Sequence, residues 1–293
     1  MSSATFHAWI DAFFSNPYLA WGVGPVLGVN LGYWPLAFIM EWYVRLPSSR
    51  DQHVIWRGGN GDRLKDIEKT QDEIPIRTQV FGPYGCFFVL AGPAAIIGGL
   101  LSALIFTRLL GMEHAPASAV RFSVAARQLC VMEVVGDLFL YLGHRLLHEV
   151  PYLYRHFHVH HHQIHTPTAL GTACIDSVDS TIQATLPIFA AAVAARPHPL
   201  VFSCYSGLRV AENVMNHCGV EGSPFDHLFL RYSWLGRARA GHHGELVNQF
   251  IIVYFGRKSG GVQFIIVYFE KISRGAAGDV LFSYLSVPIS SSF

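Results

Sequence analysis

Long stretches without Asp, Glu, Lys or Arg alternate with polar segments along this chain, and the stretches have the length of membrane helices. Ala12 to Met40 is the first. Marked by Trp21, Trp34 and Trp42, it predicts a span beginning near Tyr18, long enough for a hydrocarbon core of ~30 Å and anchored by aromatic rings near the interfaces. Thr78 to Thr107 is also free of charge and predicts a second span, with bends expected at Pro93 and at Gly98-Gly99. Between them, Glu41 to Arg77 carries Arg45, Arg50, Arg57, Arg63, Lys65, Lys69 and Arg77 against a similar number of acids. Gly58, Gly59, Gly61 and Pro75 act there as breakers, so the segment reads as a solvated loop.

Gln128 to Gly143 is apolar apart from Gln128, Glu133 and Asp137. On a helix, Glu133, Asp137, His144 and His148 fall on one stripe, and acids on a membrane helix mark a functional surface or a polar helix contact. Ser180 to Ala195 and Val201 to Leu208 are short uncharged runs separated by Arg196-Pro197-His198-Pro199. The two prolines break any continuous helix, so a hairpin that enters and leaves the membrane on one side is expected. An even number of passes then returns the chain after this hairpin to the face on which it began.

Composition supports the membrane reading. Of 293 residues, 51% are hydrophobic and only 14% charged, against roughly 25% charged in soluble domains. A net charge of +1 without a long basic run leaves no electrostatic footprint for nucleic acid. The five cysteines, Cys86, Cys130, Cys174, Cys204 and Cys218, form no Cys-x-x-Cys pair and indicate neither a disulfide framework nor a thiolate metal site. The segment MSSATFHAWIDAFFSNP has no basic n-region, so targeting is expected to come from internal spans. Seven basic residues in the first loop, against Arg108, Arg121 and Arg127 in the next connection, favour a cytosolic first loop, which brings His144 out on the cytosolic side.

Eight of the sixteen histidines lie between His144 and His165. His144 and His148 are one helical turn apart. His158, His161, His162 and His165 follow i, i+3, i+4, i+7 and predict one ligand face on a helix that ends before Pro167, while His156 and His160 point elsewhere. Isolated histidines such as His7, His53, His114, His198 and His227 read as hydrogen-bonded structural residues. The clustered ones have little packing rationale, and imidazole is the commonest protein ligand for Fe, Zn, Cu and Ni. A structural zinc site uses four ligands, usually with thiolates; five or six imidazoles without Cys point to two metals.

His144-Arg145-Leu146-Leu147-His148 followed by His158-Val159-His160-His161-His162 resembles the His-x-x-x-His and His-x-x-His-His boxes of the fatty acid hydroxylase/sterol desaturase superfamily. The resemblance runs from about Gln128 to His243, and Glu212 to Gly219 looks like the segment before the last box. It implies an all-α, multi-pass membrane helical bundle of about four spans or hairpins, in the endoplasmic reticulum, with a histidine-rich di-iron site at the cytosolic face. It also implies an oxidoreductase using O2 and NAD(P)H-derived electrons, delivered by cytochrome b5 or a similar donor, to hydroxylate, oxidise or desaturate a lipid, with a sterol favoured. The implied ligands are His144, His148, His158, His161, His162, His217 and His243, with His242 a possible extra ligand. Asp137 is a candidate to accept the outer N–H of a ligand imidazole.

Two departures from the pattern leave other functions open. Where the superfamily has a second histidine pair, this chain reads His242-His243-Gly244-Glu245-Leu246-Val247, and Cys174-Ile175-Asp176 lacks a histidine that sterol-oxidising relatives often carry near there. Gln249 to Phe255 then recurs identically at Gln263 to Phe269, which suggests a local duplication or an altered reading of the gene after His243. The expected organisation is 1–127 for the N-terminal spans and loop, 128–243 for the catalytic domain, and 244–293 for a short irregular or β-prone tail. The alternatives are an inactive relative that binds a lipid or a partner, and a membrane protein with structural zinc.

Overall fold

The computed structural model describes residues 2–44, 46, 93–162, 169–173, 175–218, 220, 247–258, 261–272 and 279–288. Most of the polar loop after Glu41, the first part of the second expected span, His165, Pro167 and the His242-His243 box lie outside these residues. The chain forms two units, Met1–Glu221 and Gly222–Phe293.

The first unit is helical. Helix α1 (Ser3–Ser15) is capped by Ser2, whose hydroxyl accepts from Thr5 N–H. A π turn at Leu19–Val23 leads into α2 (Gly24–Tyr43), and together they form an apolar helix of 25 residues, Leu19–Tyr43, close to the expected first span. Helix α3 (Pro93–Leu104) continues through a π turn at Ile105–Leu109. Gly98 and Gly99 lie inside α3. Gly99 lets α3 approach the backbone of Gly22, where a Cβ would stand 2.9 Å from the carbonyl oxygen.

Helix α4 (Phe122–Glu149) carries the acid stripe and the first histidine pair in one run. The second histidine group follows on Pro151–Leu153, a π turn at Tyr154–His158, and the short helix α5 (Val159–His162). A turn at Ser177–Ser180 and a π turn at Thr181–Thr185 lead into α6 (Leu186–Ala195), and α7 (Pro199–His217) returns. The corner forms as the prolines require: Arg196 takes a left-handed conformation (φ 43°) and His198 is extended, its Nδ1 accepting from Leu200 N–H at 3.1 Å to cap α7.

Helices α2 and α7 run parallel and pack at small residues. A Cβ on Gly28 would collide with the Ser203 carbonyl, and one on Gly32 with that of Gly207. At the first turns of these helices Trp21, Phe106 and Phe202 meet in a buried aromatic group, with ring centroids 4.9, 5.6 and 5.2 Å apart. Many large apolar side chains face outward, among them Leu31, Phe38, Ile96, Leu109 and Leu186. Leu19–Tyr43 and Val178–Ala195 are long and apolar enough to cross a membrane, as a membrane helical protein requires, and Ala95–Leu109 is a shorter apolar helix.

The second unit is a three-stranded antiparallel sheet of β1 (Val247–Lys258), β2 (Gly261–Ile272) and β3 (Asp279–Pro288), in the order β1-β2-β3. The repeated segments pair with each other, Phe250 opposite Phe269 and Phe255 opposite Phe264. Runs of Ile, Val, Tyr and Phe favour this extended state. The all-α expectation therefore describes the first unit, whereas the tail, expected to be short and irregular or β-prone, forms regular strands of 12, 12 and 10 residues.

Candidate metal centre

The hairpin brings sequence-distant histidines together. Helix α6 starts beside the histidines, and the Arg196 corner lies at the other end of α4, where Gln128 Nε2 donates to the Arg196 carbonyl at 3.2 Å. Helix α7 then runs back and ends at His217. The even number of passes thus returns the chain to its starting level, since His217 Nε2 lies 3.1 Å from His161 Nε2.

His144, His148, His158 and His162 form one cluster, with a ligand nitrogen from each within 4.8 Å of the others. The Nε2 atoms of His144 and His148 are 3.2 Å apart, those of His148 and His158 3.1 Å, and those of His158 and His162 2.9 Å. Two nitrogens bound at about 2.1 Å to one ion stand roughly 3.0 to 3.4 Å apart for angles between square and tetrahedral, so these separations suit adjacent ligands of one metal.

Outer partners decide which nitrogen carries hydrogen. His144 Nδ1–H donates to Gln183 Oε1 at 3.0 Å, and His158 Nδ1 shares a hydrogen bond with Asp179 Oδ2 at 2.8 Å. Gln183 Oε1 cannot donate in return, which fixes His144 as the donor of that bond. His144 therefore presents an Nε2 lone pair to the cluster, and His158 does the same wherever Asp179 accepts from its Nδ1–H. Gln183 Nε2–H donates to Asp179 Oδ1, joining the two supports into one network. His217 behaves likewise, with Nδ1–H donating to the Asn213 carbonyl at 2.8 Å. Burial holds His144 and His158 at about pKa 3, well below the usual imidazole value, and His162 and His217 at about 4. At neutral pH these groups are uncharged ligands, and the convergence of their lone pairs fits a cation.

Several expected residues fall elsewhere. His161, expected on one face with His158 and His162, pairs with His217 instead, which divides the histidines into a group of four and a group of two. The helical step is the local reason: His162, at i+4, falls about 40° to one side of His158, and His161, at i+3, about 60° to the other. Asp137 lies 2.9 Å from Arg209 Nη1, which also meets Glu133 at 3.2 Å and Glu212 at 2.9 Å. The acid stripe thus clamps α4 to α7, and the carboxylate that accepts from a clustered histidine is Asp179. Asp179 and Gln183 were missed by the sequence reading; the available signal was two polar residues one turn apart at the entrance to an apolar helix. His198, read as structural, donates through Nε2–H to the Ala115 carbonyl at 2.9 Å. His243 and His242 lie outside the described residues.

Fold and site define a helical, histidine-rich protein with the apolar exterior of a membrane protein and a place for a metal ion. Residues 129–256 match the fatty acid hydroxylase family. With the relatives below, this match supports the fatty acid hydroxylase/sterol desaturase superfamily for that segment. Over 142 residues the chain is 28% identical to sphinganine C4-monooxygenase 1 of Arabidopsis thaliana, covering 46% of this chain and 53% of the relative. Over 143 residues it is 28% identical to a very-long-chain aldehyde decarbonylase of Oryza sativa subsp. indica, covering 45% and 54%. Methylsterol monooxygenase 2-1 of Arabidopsis thaliana is 30% identical over 113 residues, covering 38% and 40%. The chain spans about half the length of the first of these curated relatives. No solved structure matches.

Proposed function

We propose that this chain is a membrane-bound di-iron oxidoreductase of lipid biosynthesis that hydroxylates, oxidises or desaturates a lipid, with a sterol as the favoured substrate. The observation that carries the reading is the convergence of four imidazole Nε2 atoms in a segment that matches the fatty acid hydroxylase family. His144, His148, His158 and His162 would hold one iron. His161 and His217, with His243 and in addition His242, would contribute to the second.

Bound iron would supply O2 activation, with two electrons from NAD(P)H and two protons reducing the second oxygen atom to water when the first enters a C–H bond. Asp179 and Gln183 keep the imidazoles in the tautomer that binds metal and fix the ring planes. The exposed apolar faces of α2, α3 and α6 place the protein in a bilayer, from which a hydrophobic substrate can arrive. The basic residues of the loop after Glu41 support a cytosol-facing centre, accessible to cytochrome b5 or a similar donor, in the endoplasmic reticulum. The sterol preference rests on Glu212 to Gly219 and on the methylsterol monooxygenase among the relatives.

The test is turnover of purified, iron-loaded protein in lipid nanodiscs with an electron donor, NADPH and 18O2, offered sterol, sphinganine and long-chain aldehyde. A product that depends on O2, labelled if the reaction is hydroxylation, is expected. Iron-loaded protein that turns over none of these would favour an inactive relative, as the replacement of a histidine pair by Leu246 and Val247 would suggest. Protein that binds only zinc would favour a structural site.

A further inference from the structure

Asp176 is completely buried. Its Oδ1 accepts from Val178 N–H at 2.8 Å and its carbonyl accepts from Ser180 N–H at 2.8 Å, so it caps the turn that carries Asp179. Its Oδ2 is buried and accepts no hydrogen bond among the described residues. Nor does any ion pair among the described residues reach it: Arg209 is held by Glu133, Asp137 and Glu212, and Arg145 by Glu149. An ionised carboxylate is costly to bury unless a cation, a proton or donors meet it.

The location narrows what that cation is. Asp176 lies on the short link between two anchored turns. The turn before it, Leu170–Ala173, packs on α7 and is held at Leu170 by the Tyr33 hydroxyl, at 2.8 Å, and by Glu41. The turn after it carries Asp179, 2.8 Å from His158 Nδ1. Because α2 and α7 run parallel in register, with Gly28 beside Ser203 and Gly32 beside Gly207, Tyr33 and Glu41 stand at the level of the C-terminal half of α7, which ends in His217. The unpaired oxygen is therefore buried at the histidine end. There, the Nε2 atoms of His161 and His217 lie 3.1 Å apart, beside the group of four.

We propose that Asp176 supplies a carboxylate oxygen to the metal centre on the side of His161 and His217, making that half a mixed imidazole–carboxylate site. The proposal rests on the metal-binding reading above. Two imidazoles and a carboxylate are a donor set that suits non-haem iron, and the negative ligand offsets charge that neutral imidazoles leave uncompensated.

The test uses the full chain in detergent, metal-free and loaded with Fe(II) or Co(II), reading the melting temperature, bound metal per chain and the Co(II) visible spectrum. Metal-free Asp176→Asn is expected to melt above the wild type, since an uncompensated buried charge is gone. Its rise on metal loading is expected to be smaller, with bound metal lower by about one ion per chain. Asp176→His, which offers a replacement donor, is expected to keep the metal with a changed Co(II) spectrum. It also serves as the test should Asp176→Asn not fold. An unchanged metal-induced rise and metal content in Asp176→Asn, or an unchanged spectrum in Asp176→His, overturns the proposal alone. Wild-type protein that takes up no metal overturns the metal-binding reading with it.

Discussion

At one end of the helical unit Trp21, Phe106 and Phe202 are buried against one another, and the polar groups around them are paired: Trp21 Nε1–H with the Glu113 carbonyl, His198 with Ala115, and Arg196 with Gly111 at 3.0 Å. At the other end imidazole Nε2 atoms converge around buried His158, and a buried carboxylate oxygen lacks a donor among the described residues. The aromatic end is complete as a packed core. The histidine end is organised, yet electrostatically it calls for positive charge. The difference teaches that the fold is scaffolded from the aromatic end and the small-residue seam between α2 and α7, leaving the other end free to hold strained polar chemistry.

The comparison can be broken most severely at His158, whose Nε2 contacts both His148 and His162. His158→Ala is expected to lose the ion of the four-histidine cluster altogether, as measured by metal content after chelator challenge, and to leave the aromatic end intact by tryptophan fluorescence. The reciprocal change, Phe202→Ala, is expected to cost about 3 to 5 kcal/mol of stability while metal affinity per folded molecule stays the same. A metal affinity that fell with it would show the two ends to be coupled. Asp179→Asn, which weakens the support of His158 without removing a ligand, is expected to lower metal affinity about 10- to 100-fold in competition titrations.

Acid gives the mildest perturbation. The folded-state pKa values of His144 and His158 are held at about 3, and those of His162 and His217 at about 4, below the usual 6.5 or so of an unfolded histidine. Between these limits the unfolded chain binds more protons. The contribution of these four groups to the stability of the metal-free protein is therefore fully present above about pH 6.5 and is lost progressively as pH falls toward 4 and 3. Hydrogen exchange should show Tyr154 to His162 losing protection in that window before the helices around Trp21 do.

Much of this was legible in the sequence wherever one residue type carries the signal. The span at Leu19–Tyr43 follows from an uncharged run, the Arg196 corner from its two prolines, and the pairing of His144 with His148 from one helical turn. What was not legible depends on contacts between distant segments. Asp179 and Gln183 reach histidines 21 and 39 positions away, and Asp137 finds Arg209 on another helix. Gly98 and Gly99 suggested a bend because glycine weakens helices. Gly99 is used instead for close approach to Gly22, a choice made only by the neighbouring helix. The division of His158 and His162 from His161 depends on His217 arriving at the end of a distant helix, which the local spacing does not show.

The central claim, that the histidine end is built around iron, is tested most directly by the metal content and iron-edge X-ray absorption of full-length protein purified in detergent, compared with a His148→Ala/His162→Ala variant. The account predicts iron in the wild type, in a first coordination sphere dominated by imidazole nitrogen, and its loss from the four-histidine cluster of the variant. Wild-type protein containing only zinc or no metal, or a variant that keeps the same iron with the same coordination, would contradict it.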